Sequence, residues 1–343
     1  MNRIKLSLLV ALVLALSACF PSNTSTKTEV LLQGRTMGTT YNIKVVATEA
    51  EIQAKDLQPK IDALLVKINQ SMSTYQADSE ISKFNRSVST EPVTITSNFA
   101  RVVKESIYLG ELSEGMLDVT VGPLVNLWGF GPDQRPDIIP TAEDLSLTKQ
   151  RIGLQHLVLE GNQLSKNIPN LYLDLSTIAK GYAVDLVAEL IESNGLNHYL
   201  VEIGGEIKAK GFKHTGELWV MAIEKPIYDP LGESRSVHQI IIPKDNAIAT
   251  SGDYRNYFEV EGIRFSHIID PSTGKPISHN LVSVTVIDPS SMTADGLSTA
   301  LMVMGLEEGM LFAQKHDIAA LFIYKTENSF GEQFTVEFKQ FLK

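Results

Sequence analysis

The sequence predicts an α+β fold of mixed α/β element order, with antiparallel-rich sheets flanked by helices. Three observations predict it. Amphipathic helical spacing recurs at intervals in the first two-thirds of the chain. Short alternating strands dominate after Gly205. The two kinds of element are interspersed without a strict βαβα order.

Taken in order, Tyr41 to Val46 alternates apolar and polar residues, as a half-buried strand does. Leu57 to Met72 places Leu57, Ile61, Leu64, Leu65 and Ile68 at helical spacing, and Phe99 to Leu112 repeats the pattern with Gly115 just beyond it. Val119 to Gly131, rich in Gly, Pro and aromatics, reads as a long ordered loop, and Asp133 to Pro140 as a polar surface excursion. Leu157 to Leu159 and Leu164 to Lys166 form a hairpin around Glu160-Gly161-Asn162. The clearest unit is a strand Leu171–Leu175, a helix Ser176–Ser193 closed by Asn194-Gly195, and a strand His198–Ile203 ending in Gly204-Gly205. Five strands are expected at Leu218–Glu224, Val237–Ile242, Ala247–Thr250, Tyr257–Val260 and Val282–Ile287. Asp295 opens a helix that runs from Gly296 to Met304 and resumes from Glu307 to Lys315. Ile318–Tyr324 and Phe334–Phe338 complete the chain as strands.

The N-terminus has a different character. Arg3 and Lys5 precede the apolar run Leu6–Leu16, and Ser17-Ala18 precede Cys19. That is the anatomy of a secretory signal over residues 1–18, too short to span a bilayer permanently. Cys19 is the only cysteine, so no intramolecular disulfide can form. Its setting resembles the bacterial lipoprotein box, which implies an acylated Cys19 as the mature N-terminus. Phe20 in place of Asp favours the outer membrane over the inner. Residues 19–30 read as lipidated Cys and flexible tether, polar from Pro21 to Thr28. Net charge is −10, and removal of Arg3 and Lys5 leaves −12. Such a surface excludes nucleic acid and broad adhesion to anionic lipid. An anionic ligand therefore requires local donors or a metal.

Three constellations can carry chemistry. Asp295 and Thr299 share one helix face and offer oxygen ligands to a hard cation; an N-cap Asp with a helical Thr has the same spacing. Asp174 to Gly181 crosses a strand-to-helix junction where Lys180 can reach a phosphate or an adenine; a helix cap and a solvated lysine read equally well. His267 precedes the tight turn Asp270–Gly274, where Asp270 either orients an imidazole base or only shapes the turn. Zinc spacing, Walker and Rossmann fingerprints and the serine-hydrolase elbow are all absent from the sequence.

Eight segments occur in the order of the FAD:protein FMN transferase (ApbE) family and resemble its motifs. They are Thr36–Thr39, Asp118–Leu124, Trp128–Gly131, Asp174–Asp185, Glu202–Glu206, Ala249–Tyr254, Ser266–Pro276 and Met292–Ala300. The resemblance covers nearly all of an ApbE-like domain over residues 31–343. It implies Mg2+-dependent transfer of the FMN half of FAD, as substrate, to a threonine hydroxyl of an acceptor protein through a phosphoester, with release of AMP. It implies acceptors among the subunits of membrane redox pumps of the sodium-translocating NADH:quinone reductase or Rnf type, and hence a periplasmic, membrane-anchored enzyme. Matching positions imply FAD contacts at Met37, Tyr75, Met116, Leu117, Asp118, Asp174, Lys180 and Ile269. They imply magnesium ligands at Asp295, Thr299, the Thr177 carbonyl and Ser298, with His267 as the base. Position 177 is more often a smaller residue in the family, which a carbonyl ligand tolerates. The position of Ser272 more often carries Arg. Two alternatives stay open at this stage: an FAD pyrophosphatase giving FMN and AMP, and a non-enzymatic flavin-binding lipoprotein.

Overall fold

The computed structural model describes residues 26–131, 139–227, 236–253, 257–260 and 263–343. The signal, Cys19, most of the Asp133–Pro140 excursion, and Tyr254 and Arg255 lie outside the described residues.

Eight strands form the central sheet: β1 (Thr28–Thr36), β2 (Thr39–Ala47), β3 (Tyr199–Ile203), β4 (Glu206–Lys210), β5 (Ala247–Gly252), β6 (Leu281–Asp288), β7 (Ala319–Lys325) and β8 (Phe330–Phe334). Their order across the sheet is their order in the chain, and every neighbouring pair is antiparallel. Longer insertions leave and rejoin between adjacent strands. β1 and β2 join through Met37 and Gly38, at φ 50° and 73°, the positive values a two-residue hairpin turn demands. β1 begins at Thr28, inside the stretch read as tether, because Val30 and Leu32 alternate into the core.

Among the described residues, the insertion between β2 and β3 carries seven α-helices: α1 (Glu49–Ala54), α2 (Leu57–Met72), α3 (Glu80–Arg86), α4 (Ser97–Leu112), α5 (Gly122–Leu127), α6 (Ala142–Lys149) and α7 (Ala179–Ser193). α8 (Ser291–Lys315) links β6 to β7. α7 packs on β3 and β4, and α8 on β5 and β6, with the apolar faces of α2 and α4 against them. α8 has the length and hydropathy of a membrane span, but most of it is buried in this core. A hairpin of Met221–Glu224 with Val237–Ile241 and the turn Glu337–Phe341 cover the other face of the sheet. β6 is therefore buried on both sides from Leu281 to Ile287, with Ser283 and Thr285 the polar residues in an otherwise apolar strand. A separate small cluster of Leu124, Trp128, Leu145, Ile152, Phe258 and Ile269 lies beyond this sandwich.

Five expectations are corrected. Leu171–Leu175 is extended and alternates into the core, but it joins no sheet. The Asn85 side chain pairs with both the N–H and the C=O of Leu173 at 2.8 Å, and Lys166 holds the Leu171 carbonyl, so side chains replace the ladder. The following helix starts at Ala179 rather than Ser176, because Asp174 turns the chain by accepting from the Ser176 N–H and hydroxyl. The loop after Val119 contains α5, with Pro123 in its first turn. α8 starts at Ser291, capped by Ser290, so Asp295 sits in the second turn and does not open the helix. The final strand is Phe330–Phe334: beyond it the Thr335 hydroxyl bonds Ala320 N–H and Ile318 C=O, and the chain turns inward.

Candidate active site

One cleft gathers most of the residues singled out above. It has two adjoining lobes of about 990 Å³ and about 400 Å³ that share Tyr75, Asp174, Ser176 and Lys180. Met37 lines the larger lobe, raised there by the β1–β2 turn. Met116, Leu117, Asp118, Thr177, His267, Ile269, Asp295 and Thr299 line the smaller. Tyr75 is 75% exposed at the junction, a ring with little protein against it.

α7 and α8 build the polar wall of the smaller lobe. They cross closely at Gly181, where a Cβ would lie 2.3 Å from the Ser291 carbonyl oxygen. That approach lets the Gly181 N–H donate to Asp295 Oδ2 at 2.9 Å. Lys180 Nζ lies 3.8 Å from Asp295 Oδ1 and 2.7 Å from Glu206 Oε1. Burial raises the Asp295 carboxyl above its ordinary range, against the pull of Lys180. Burial likewise pushes Glu206 up to about 7; Lys180 opposes the shift and Asp295 adds to it. Burial alone would depress Lys180, but the two carboxylates outweigh it and keep the amine charged.

A row of hydroxyls adjoins Asp295. Ser251 Oγ lies 2.8 Å from Ser298 Oγ and 3.0 Å from Thr299 Oγ1. Ser298 is fully buried behind the row and donates to the Asp295 carbonyl. Thr177 Oγ1 is buried without a hydrogen-bond partner. Among the described residues no three His, Cys, Asp or Glu side chains converge as a metal centre. One carboxylate, hydroxyls and carbonyls instead form a hard-oxygen set. That set suits magnesium, which binds through one or two carboxylates and completes its shell from water and substrate phosphates.

The other wall is aromatic. Trp128 stacks on Phe265, Phe265 on Phe258, and Phe258 on Phe130, at centroid distances of 5.6, 5.1 and 5.2 Å. His267 meets the edge of Phe130 at 6.3 Å. Asp270 Oδ1 accepts from the Ser272 N–H and hydroxyl, and Oδ2 from the Thr273 hydroxyl, so its carboxylate is occupied in shaping the turn. Burial raises the Asp253 carboxyl above its ordinary range, opposed chiefly by Arg264. Asp118 is raised by burial and spends Oδ1 on the Thr120 N–H and hydroxyl.

Sequence reasoning passed over Glu206, Ser251 and Asp185 as individuals, although all three lie in the segments that carried the resemblance. The signal available for Glu206 was a carboxylate placed directly after a Gly-Gly turn at the end of a strand.

The ApbE family profile matches residues 37–322. An FAD:protein FMN transferase of Vibrio cholerae serotype O1 is 56% identical over 314 residues, which cover 92% of this chain and 93% of that protein. One from Haemophilus influenzae is 46% identical and covers 96% and 95%. Among solved structures, the flavin transferase ApbE from Vibrio cholerae is 54% identical, with a TM-score of 0.85, and covers 92% of this chain and all of that one. The apo form of Pseudomonas stutzeri flavinyl transferase ApbE is 39% identical, also with a TM-score of 0.85, and covers 93% and 98%.

Proposed function

We propose, from the premise that the chain belongs to the ApbE family and is an FAD:protein FMN transferase, that it joins FMN to a threonine of its acceptor and releases AMP. The observation that carries this reading is the meeting of a buried carboxylate–hydroxyl pair and an imidazole in one cleft.

In this reaction the threonine oxygen bonds to the FMN phosphorus while the bond from that phosphorus to the bridging oxygen breaks. AMP leaves with the bridging oxygen, and the hydroxyl proton passes to His267. Asp295, Thr299 and the Thr177 carbonyl would hold magnesium, with Ser298 supporting them from behind. When bound, magnesium supplies positive charge to the pyrophosphate, which this acidic chain has no basic cluster to provide. Lys180 is the local cation for the phosphates. Met37, Tyr75, Met116, Leu117, Asp118, Asp174 and Ile269 enclose the flavin nucleotide and restrict water. The export signal and Cys19 support a lipid-anchored periplasmic enzyme whose acceptors are membrane-bound flavin subunits of the redox-pump type. Cys19→Ser is expected to move the protein from the membrane to the soluble fraction.

The full chain in detergent, given FAD, magnesium and a redox-pump flavin subunit, should add the mass of FMN less one water to that subunit at a threonine. Free FMN and AMP with no mass gain would identify a pyrophosphatase instead.

A further inference from the structure

Asp185 lies in the middle of α7, 3% exposed, and takes no part in the cleft lining. Its carboxylate is nonetheless engaged on both oxygens. Oδ1 accepts from Lys208 Nζ at 2.7 Å and from the Ser291 N–H at 3.1 Å. Oδ2 accepts from the Ser290 hydroxyl at 2.9 Å and from the Met292 N–H at 3.0 Å. Ser290 meanwhile caps its own helix by accepting the Thr293 N–H at 3.2 Å. An isolated helix is adequately started by one such cap. Here a carboxylate from a different helix binds the same helix end, and Lys208 ties it to the sheet.

Gly181 lies one turn before Asp185 on the same face of α7. Its N–H holds the Asp295 carboxylate, and its missing Cβ makes room for Ser291. α7 therefore grips α8 at two points. One is the start of the helix, and the other is the carboxylate that faces the cleft. The first grip sets the axial position of α8, and that position carries Asp295 and Thr299.

We propose that Asp185 is a positioning residue for the metal site, acting through the register of α8 against α7. The inference rests on the reading of Asp295 as a metal ligand. Asp185→Asn preserves shape but leaves one acceptor oxygen where two are used. Lys208→Met keeps both oxygens and removes the tie to the sheet.

The test measures Mn2+ binding to the full metal-free chain by electron paramagnetic resonance, alongside FAD binding without metal. Asp185→Asn should weaken Mn2+ by about tenfold or more, as loss of a ligand's supporting partner does. FAD affinity without metal should hold within about twofold, and Lys208→Met should weaken Mn2+ by about threefold, because its effect passes through one more contact. Mn2+ binding at wild-type strength in a folded Asp185→Asn protein overturns the proposal, whatever happens to stability. If that variant does not fold, Lys208→Met decides: unchanged Mn2+ binding overturns it, and weakened binding with FAD affinity kept supports it. A wild-type chain that binds no Mn2+ removes the metal reading itself, a result distinct from either.

Discussion

The wall carrying Asp295 and the wall carrying His267 are held by different chemistry. The first belongs to the main core. Gly181, Asp185 and Ser251 fix its polar groups through directional hydrogen bonds between two helices and a central strand. The second rests on the small outlying cluster, where stacked rings and one Trp128 Nε1–H bond to the Gly274 carbonyl at 2.9 Å hold the turn. Stacked rings contribute about 0.5–1.5 kcal/mol per pair but tolerate sliding. Directional bonds to a buried carboxylate do not. The division suits the reaction proposed above, in which the nucleotide's charge would meet fixed groups and the acceptor hydroxyl would meet His267 on an adjustable support.

Substitutions can break or sharpen this contrast. The largest effect is expected for Asp295→Ala, which should lower magnesium-dependent transfer on the order of 10³-fold, as several kcal/mol of charge stabilisation are lost. Full magnesium stimulation of that variant would relocate the metal. His267→Ala should lower transfer by about 10²–10³-fold while FAD affinity stays near wild type. Undiminished turnover would free the aromatic wall of any proton role. Gly181→Ala forces a Cβ into the Ser291 carbonyl and should destabilise the protein by about 1–3 kcal/mol in denaturant titration. A neutral result would mean the polar wall is as adjustable as the other. Trp128→Phe removes the bond to Gly274 and should cost about 1 kcal/mol and slow transfer a few-fold, with metal affinity untouched.

The smallest effect concerns Glu206. Burial lifts it from 4.5 to about 7, so the folded protein keeps a proton that the unfolded chain gives up. Its contribution to stability is present below pH 4.5 and is lost as pH rises through about 7. Glu206→Gln cannot titrate. The melting temperature of metal-free Glu206→Gln minus that of wild type should therefore become more positive from about pH 5 to about pH 8. A difference independent of pH would show that Lys180 neutralises Glu206 throughout.

Much of the scaffold was legible because burial writes period into sequence. α2 occupies Leu57–Met72 as its spacing predicts, and the interruption of α8 falls at Gly305, φ 79°. Leu171–Leu175 misled because its alternating burial is that of a strand, whereas its partners are side chains, Asn85 remote in sequence and Lys166 just upstream. Asp295 was misplaced by one turn because Ser290 caps the helix ahead of it, while Asp295 itself has the composition of a cap. The Asp295–Thr299 spacing survived that error, since four residues share a face wherever the helix starts. The grip of Asp185 on Ser290, Ser291 and Met292 spans more than a hundred positions of chain and leaves no local pattern.

The meander of the central sheet sets a timetable. Because neighbours in space are neighbours in sequence, a chain emerging N-terminus first can extend one growing edge, strand upon strand, without leaving gaps to be filled later. At Asp288 six of the eight strands are present, yet Asp295 and Thr299 have not arrived. The wall that bears Asp295 and Thr299 arrives only with α8, which also covers β5 and β6, so a chain ending at Asp288 would lack both that wall and a large part of its core.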